Sequence, residues 1–256
     1  MPDQDAISAD SEMFWRKPWE FFLRGEVAQG LQILRTDYEA RPNSAREILR
    51  LGIGYMWSEE YESAATHFTA ATRRERNGEN DFAFAGVSEW HLGNFALAVQ
   101  HWRRGIKAQY AVGCRVCSMT ARFLVVASTL DPELFSRDDA EVALLDAIER
   151  IDPWKWNGLL GRYLLGKVER SDVERWIDSR DQDLDVRMSL LWETEFYHAV
   201  KQLRSAEIDT ETFRSLMRSL ADAANSKAMD AATFAQLIRR PEYFLARTEA
   251  AKARSC

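Results

Sequence analysis

Apolar residues recur at steps of three and four along most of this chain, and no window sustains the apolar–polar alternation of a half-buried strand. The pattern therefore predicts an all-α fold. Between Ala45 and Val112 it is written twice. Leu51-Gly52-x-x-Tyr55, followed by Tyr61, Ala64, Phe68 and Ala71, returns as Ala85-Gly86-x-x-Glu89, followed by Phe95, Ala98, Trp102 and Gly105. The pairs 52/86, 61/95, 64/98, 68/102 and 71/105 are each 34 residues apart. Such a period is the signature of a stacked array of one supersecondary unit. Moved back by the same step, Gly52 falls on Pro18, Ala64 on Gly30 and Phe68 on Leu34, while Gly93 falls on Glu59 and then on Gly25. Three units follow: a degenerate one over 11–44, then 45–78 and 79–112. Pro18 stands where a small residue is expected, and proline suits a first helical turn rather than a helix interior.

Beyond Gly113 the template fails, because Thr120 and Pro132 occupy the small-residue positions. Helical periodicity continues through 113–256 as an extension packing on the array. Val116 to Leu130 reads as a helix buried nearly all round and stopped by Pro132. Ser136 caps a helix with an apolar stripe of Val142, Leu145, Ile148 and Ile151. Trp154-Lys155-Trp156 leads into Leu159 to Leu164. Ser171-x-x-Glu174 forms a capping box before Val173, Trp176 and Ile177. Further helices run over Leu190–Leu203, after Asp209 or Thr210 with Phe213, Leu216, Met217 and Leu220, and, as the last, after Asp230 with Phe234, Leu237 and Ile238.

The repeated small and aromatic positions resemble the tetratricopeptide repeat, a helix–turn–helix unit; the likeness is clear over 45–112 and partial over 11–44. The C-terminal half, with Gly158-Leu-Leu-Gly-Arg-Tyr-Leu-Leu-Gly166 and Glu195-Phe-Tyr197, loosely resembles later helices of bacterial tetratricopeptide adaptors. The resemblance implies a right-handed α-solenoid with a concave groove, lined by the first helix of each unit, that takes a peptide or a partner helix. Carried over position by position, the groove rows are Trp15, Trp19 and Phe22; Arg46, Arg50, Ile53, Met56 and Trp57 with Leu49; and Asn80, Phe84, Val87, Trp90 and His91 with Ala83. Chaperone-binding members grip a terminal carboxylate with a Lys/Asn/Arg clamp. Here its positions hold Trp15, Trp19, Arg50, Asn80 and Phe84, so that clamp is missing. The remaining surface, aromatic and aliphatic with two arginines at one edge, has the composition of an interaction hot spot and suits an apolar helix or strand carrying an acidic residue. The same residues would equally serve as core if residues 113–256 folded back onto them. The aromatic cluster Phe14, Trp15, Trp19, Phe21 and Phe22 would cap the array or form a homodimer face.

Composition narrows the function. The chain has 256 residues, a net charge of -6 and 11% aromatic residues, as a globular chain with a sizeable core would. Its charge is even, 13 basic against 16 acidic residues over 1–112 and 21 against 24 over the rest, so no basic half is ready for nucleic acid. The polar, acidic residues 1–10 read as a disordered tail rather than a signal peptide, and the longest apolar run, Phe123 to Ala127, is too short to span a bilayer. Three cysteines without a framework agree with a reducing, cytoplasmic setting, and 27 arginines among 34 basic residues agree with a GC-rich bacterial genome.

Chemical constellations are sparse. Cys114-Arg-Val-Cys117 has the spacing of half a zinc site or of a redox pair, but no second ligand pair and no βαβ context accompany it. Glu195-x-x-His198 gives one of the two such motifs that a di-iron bundle needs. There is no phosphate loop, nucleophile elbow or His-Glu-x-x-His. No catalytic residue, metal or cofactor is expected. Two functional readings remain ahead of an enzyme: an adaptor that binds another protein in its groove, or an immunity-type inhibitor that blocks one toxin or enzyme.

Overall fold

The computed structural model describes residues 18–74, 78–111, 118–180, 183–224, 233, 236–237 and 240–252. In chain order the helices are α1 over 18–23, α2 (Val27–Ala40), α3 (Ala45–Trp57), α4 (Tyr61–Thr72), α5 (Glu79–His91), α6 (Phe95–Ala111) and α7 (Met119–Leu130). They continue as α8 (Arg137–Glu149), α9 (Trp156–Leu164), α10 (Arg170–Asp178), α11 (Leu184–Arg204), α12 (Thr210–Ala224) and α13 (Pro241–Lys252). The fold is all-helical: among the described residues there is no strand, and no helix is long and apolar enough to cross a membrane.

The 34-residue period has a physical counterpart at the turns between α1 and α2, α3 and α4, and α5 and α6. Gly25, Glu59 and Gly93 are all left-handed, at φ 78°, 63° and 81°. In each turn the next N–H reaches back five residues: Glu26 to the Phe21 carbonyl, Glu60 to Tyr55 and Asn94 to Glu89, each at 2.9 Å. This closure ends a helix while satisfying its last carbonyls. Between the helices of a hairpin, the small residue admits the partner ring. A Cβ on Gly52 would lie 2.5 Å from Phe68 Cζ, and one on Gly86 would lie 2.6 Å from Trp102 Cδ1. The first unit replaces this device. With Pro18 in the glycine position, Gly30 on α2 supplies the close approach, its would-be Cβ 2.9 Å from Phe22 Cε2.

Each of α2 to α7 packs on its neighbours in sequence, and α11 gathers α7, α9, α10, α12 and α13 around it. One apolar cluster runs from Trp19 to Ala250, so the two halves of the chain share a core. Capping agrees with expectation at Ser136, whose hydroxyl accepts from Asp139 N–H at 3.4 Å, and at Asp209, which accepts from Thr212 N–H at 2.7 Å. Three expectations need correction. The buried positions of α8 are Ala140, Leu144, Ala147 and Ile148, while Val142 is exposed, because α7 and α9 meet a face rotated from the predicted stripe. The N-terminus of α10 lies earlier than Ser171: Glu169 N–H donates to Asp172 Oδ2 at 3.0 Å. Finally, the segment after Asp230 is helical at its described residues 233, 236 and 237, but a further helix, α13, follows it; Asp230, Phe234 and Ile238 lie outside the described residues, as do the tail 1–10, Phe14, Trp15 and Val116.

The left-handed closure recurs in the C-terminal half at Gly166 (φ 69°) and Ala206 (φ 59°), where Glu207 N–H reaches the Gln202 carbonyl at 3.0 Å. A side chain there crowds the following carbonyl, a penalty glycine avoids. Ala206→Gly is therefore expected to stabilise the fold by about 0.5–1 kcal/mol after the loss of glycine's chain entropy. An unchanged or lowered midpoint in chemical denaturation would refute this.

Candidate functional site

Of the predicted groove residues, Trp57 on α3 and Phe84, Trp90 and His91 on α5 meet α13. Tyr243 stacks on Trp57 with ring centroids 5.9 Å apart and planes at 18°, and Phe244 meets Phe84 edge-on at 6.3 Å. Trp90 Nε1 donates to Glu249 Oε1 at 2.9 Å, and His91 Nδ1 shares a 2.8 Å hydrogen bond with Thr248 Oγ1. Arg247 places its guanidinium 5.1 Å from the Trp57 ring centre and pairs with Glu59 at 2.9 Å. Lys252 lies over the Trp90 ring at 5.2 Å. The helix satisfies both the apolar and the polar demands of this surface.

The other groove residues divide clearly. Trp19, Phe22, Ile53, Met56 and Val87 are buried, with Trp19 and Phe22 packed ring to ring at 5.1 Å. Arg50 is also buried; its Nη1 donates to Glu47 at 2.7 Å and to Asp37 at 3.0 Å, so it serves an internal ion pair. Arg46, Trp57 and His91 are half-buried and Asn80 is exposed. Trp15 lies outside the described residues, as do Cys114 and Cys117. Glu195 and His198 take separate partners: Glu195 pairs with Arg170, and His198 Nδ1 meets the Tyr163 hydroxyl at 2.6 Å. Among the described residues no group of three or more His, Cys, Asp or Glu is arranged to hold a metal ion.

Sequence reasoning missed every residue that α13 contributes. The helix is buried from Pro241 to Ala246 and again at Thr248, Glu249 and Ala250, so that Glu242 and Glu249 are enclosed as well as Tyr243, Phe244 and Leu245. It therefore presents no apolar stripe to periodicity analysis, and Pro241 at its first position is the one local start signal.

At its edge α13 leaves a polar cleft of about 250 Å³ bordered by Tyr61, His91, Arg218, Asp222 and Arg247. Tyr61 and His91 are stacked there with ring centroids 3.3 Å apart. Burial, and then the positive charges of Arg247 and Lys252, hold His91 down at about 4; burial, Arg104 and Arg73 do the same for His101. Both imidazoles are thus neutral in the fold and protonate first in the unfolded chain. They contribute stability that is present above about 6.5 and lost as pH falls through about 4. His91→Gln should flatten this acid limb; an identical pH profile of the unfolding midpoint for the variant would contradict the assignment.

Fold and site together define an all-helical protein whose C-terminal helix is seated against the face of its N-terminal hairpins. No family model, curated protein or solved structure matches the chain.

Proposed function

We propose that this chain is a non-enzymatic, protein-binding helical scaffold. In this reading α1 to α6 form a tetratricopeptide-like array, the start of a right-handed solenoid, and its concave face holds an apolar helix supplied by the chain itself. The observation that carries the reading is the seating of α13, whose Tyr243, Phe244 and Glu249 engage Trp57, Phe84 and Trp90. A face built to receive a helix is here committed internally, as helix-in-groove recognition would look in cis. The partner then meets the outer surface.

This filling favours a broad contact with a folded partner, as for an immunity-type or inhibitor protein, over an extended peptide threaded along the groove. Such a contact would bury on the order of 1,600 Å² in total. Photo-crosslinking tests the reading in the chain's native host. A photoreactive residue placed at Leu97, exposed on α6, should form adducts with one discrete protein, whereas one at Asn80, at the groove rows, should not. Adducts from Asn80 alone would return the partner to the groove. Their absence from both positions would overturn the scaffold reading.

A further inference from the structure

A cleft of about 380 Å³ lies along α6, on the side facing the loop between α7 and α8. Its floor is apolar, from Val99, Leu134 and Phe135, and its wall is cationic, from Arg103, Arg104 and Lys107. Among the described residues no carboxylate borders it. Several other arginines of this acidic chain hold carboxylates, as Arg170, Arg187 and Arg247 do. Among the described residues none of Arg103, Arg104 and Lys107 does so. Two of them rest on rings instead: the Arg103 guanidinium lies 5.8 Å from the Phe135 ring centre and that of Arg104 lies 5.3 Å from Phe82. Stacking of this kind restrains a long side chain yet leaves its charge unneutralised. The positive field is felt nearby, since Arg104 and Arg73 add to burial in keeping His101 neutral.

We propose that this cleft docks an acidic segment of a partner protein, with carboxylates on Arg103, Arg104 and Lys107 and a neighbouring apolar side chain on Leu134 and Phe135. The proposal rests on the scaffold reading and gives it a location and a partner chemistry. Charge complementarity carries it: in a chain of net charge -6, three cations with no counter-charge among the described residues line a pocket with an apolar floor. A nucleic acid fits less well. The cations span little more than one helical turn, the floor offers nothing to a phosphate backbone, and the rest of the surface repels an extended polyanion.

The test uses the full chain and a fluorescein-labelled peptide of alternating Glu and Leu, read by fluorescence anisotropy. The wild type should bind it, more weakly as salt is raised. Reversal of two exposed charges, Arg103→Glu with Lys107→Glu, should weaken binding by about tenfold or more with an unchanged helical circular dichroism spectrum, whereas Arg103→Lys should retain most of it. Equal binding by the charge-reversed protein, equal binding of a Lys–Leu peptide, or no binding of the acidic peptide at low salt would each overturn the proposal. So would tighter binding of a single-stranded oligonucleotide, or evidence from sedimentation that a second copy of the chain occupies the cleft. If these outcomes occur while position 97 still gives its crosslink, the scaffold reading stands and the cleft assignment alone fails.

Discussion

Glu193→Ala should lower the free energy of unfolding by about 3–5 kcal/mol, the cost typical of breaking a buried ion pair by removing one partner. Glu193 is completely buried and takes three donors: Arg122 Nη1 at 3.0 Å, Arg240 Nη1 at 3.3 Å and Trp156 Nε1 at 2.9 Å. Burial alone would raise its pKa, but the two arginines and these hydrogen bonds hold it below the usual carboxylate range. Without it, Arg122 still has the Glu242 carboxylate at 3.5 Å. Glu242 is pushed up to about 7, first by burial and then by the charge of Glu193. Removing Glu193 lets Glu242 ionise at lower pH and assume part of the missing role, so the loss should be smaller at pH 8 than at pH 5. In the wild type the sign is the opposite of that for the histidines. The stability Glu242 confers is present below about 4.5 and is lost as pH rises through about 7, because the folded state holds its proton more tightly. Glu242→Gln removes this slope; parallel stability–pH curves for the variant and the wild type would refute it.

Gly86→Ala should cost about 1–3 kcal/mol despite adding a single methyl group, as overpacking of a well-filled core does. Trp102 cannot step aside: it is fully buried between Trp90, at 5.6 Å, and Phe123, at 5.4 Å, and its Nε1 donates to the Ala83 carbonyl at 3.2 Å. Trp102→Leu alone should cost a comparable or larger amount through the cavity it leaves. The two together should cost less than their sum, with a coupling of about 0.5–3 kcal/mol, since the alanine methyl then fills vacated space. Strict additivity in denaturant titrations would show that the glycine does not act through the ring. Gly52→Ala with Phe68→Leu is the matched experiment one repeat earlier, where the same approach occurs.

What the sequence disclosed follows from how locally each feature is encoded. The repeat was legible because a small residue and a large ring must recur together whenever two helices approach this closely, as Gly52 with Phe68 and Gly86 with Trp102 do. Even the degenerate first unit kept its mark, since Gly25 occupies the left-handed position later held by Glu59 and Gly93. What covers the predicted groove residues was not legible. Phe84, Trp90 and Ile53 would carry the same letters whether they faced a partner or the chain's own helix, so periodicity gives their side of the helix but not what covers it. Helix α13 escaped notice for a related reason: Tyr243, Phe244, Leu245 and Ala246 are consecutive, and a helix buried over most of its circumference has no broad polar face to set its phase. The basic cleft joins α6 to a loop more than twenty residues further along the chain, and only the folded chain brings Arg103 beside Phe135.

The link between Trp90 and Glu249 spans 159 positions of sequence, which gives the molecule a temporal asymmetry. While the chain is being made, the hairpins from α1 to α6 can form as they emerge, each from neighbours close in sequence. The apolar face of α3 and α5 then stays uncovered until residues as far as Lys252 are available. A product halted after α12 would carry Trp57, Phe84 and Trp90 toward water, a surface of the kind that chaperones and proteases act upon. Synthesis must therefore run through α13 before Trp57, Phe84 and Trp90 can meet the partners they have in the fold.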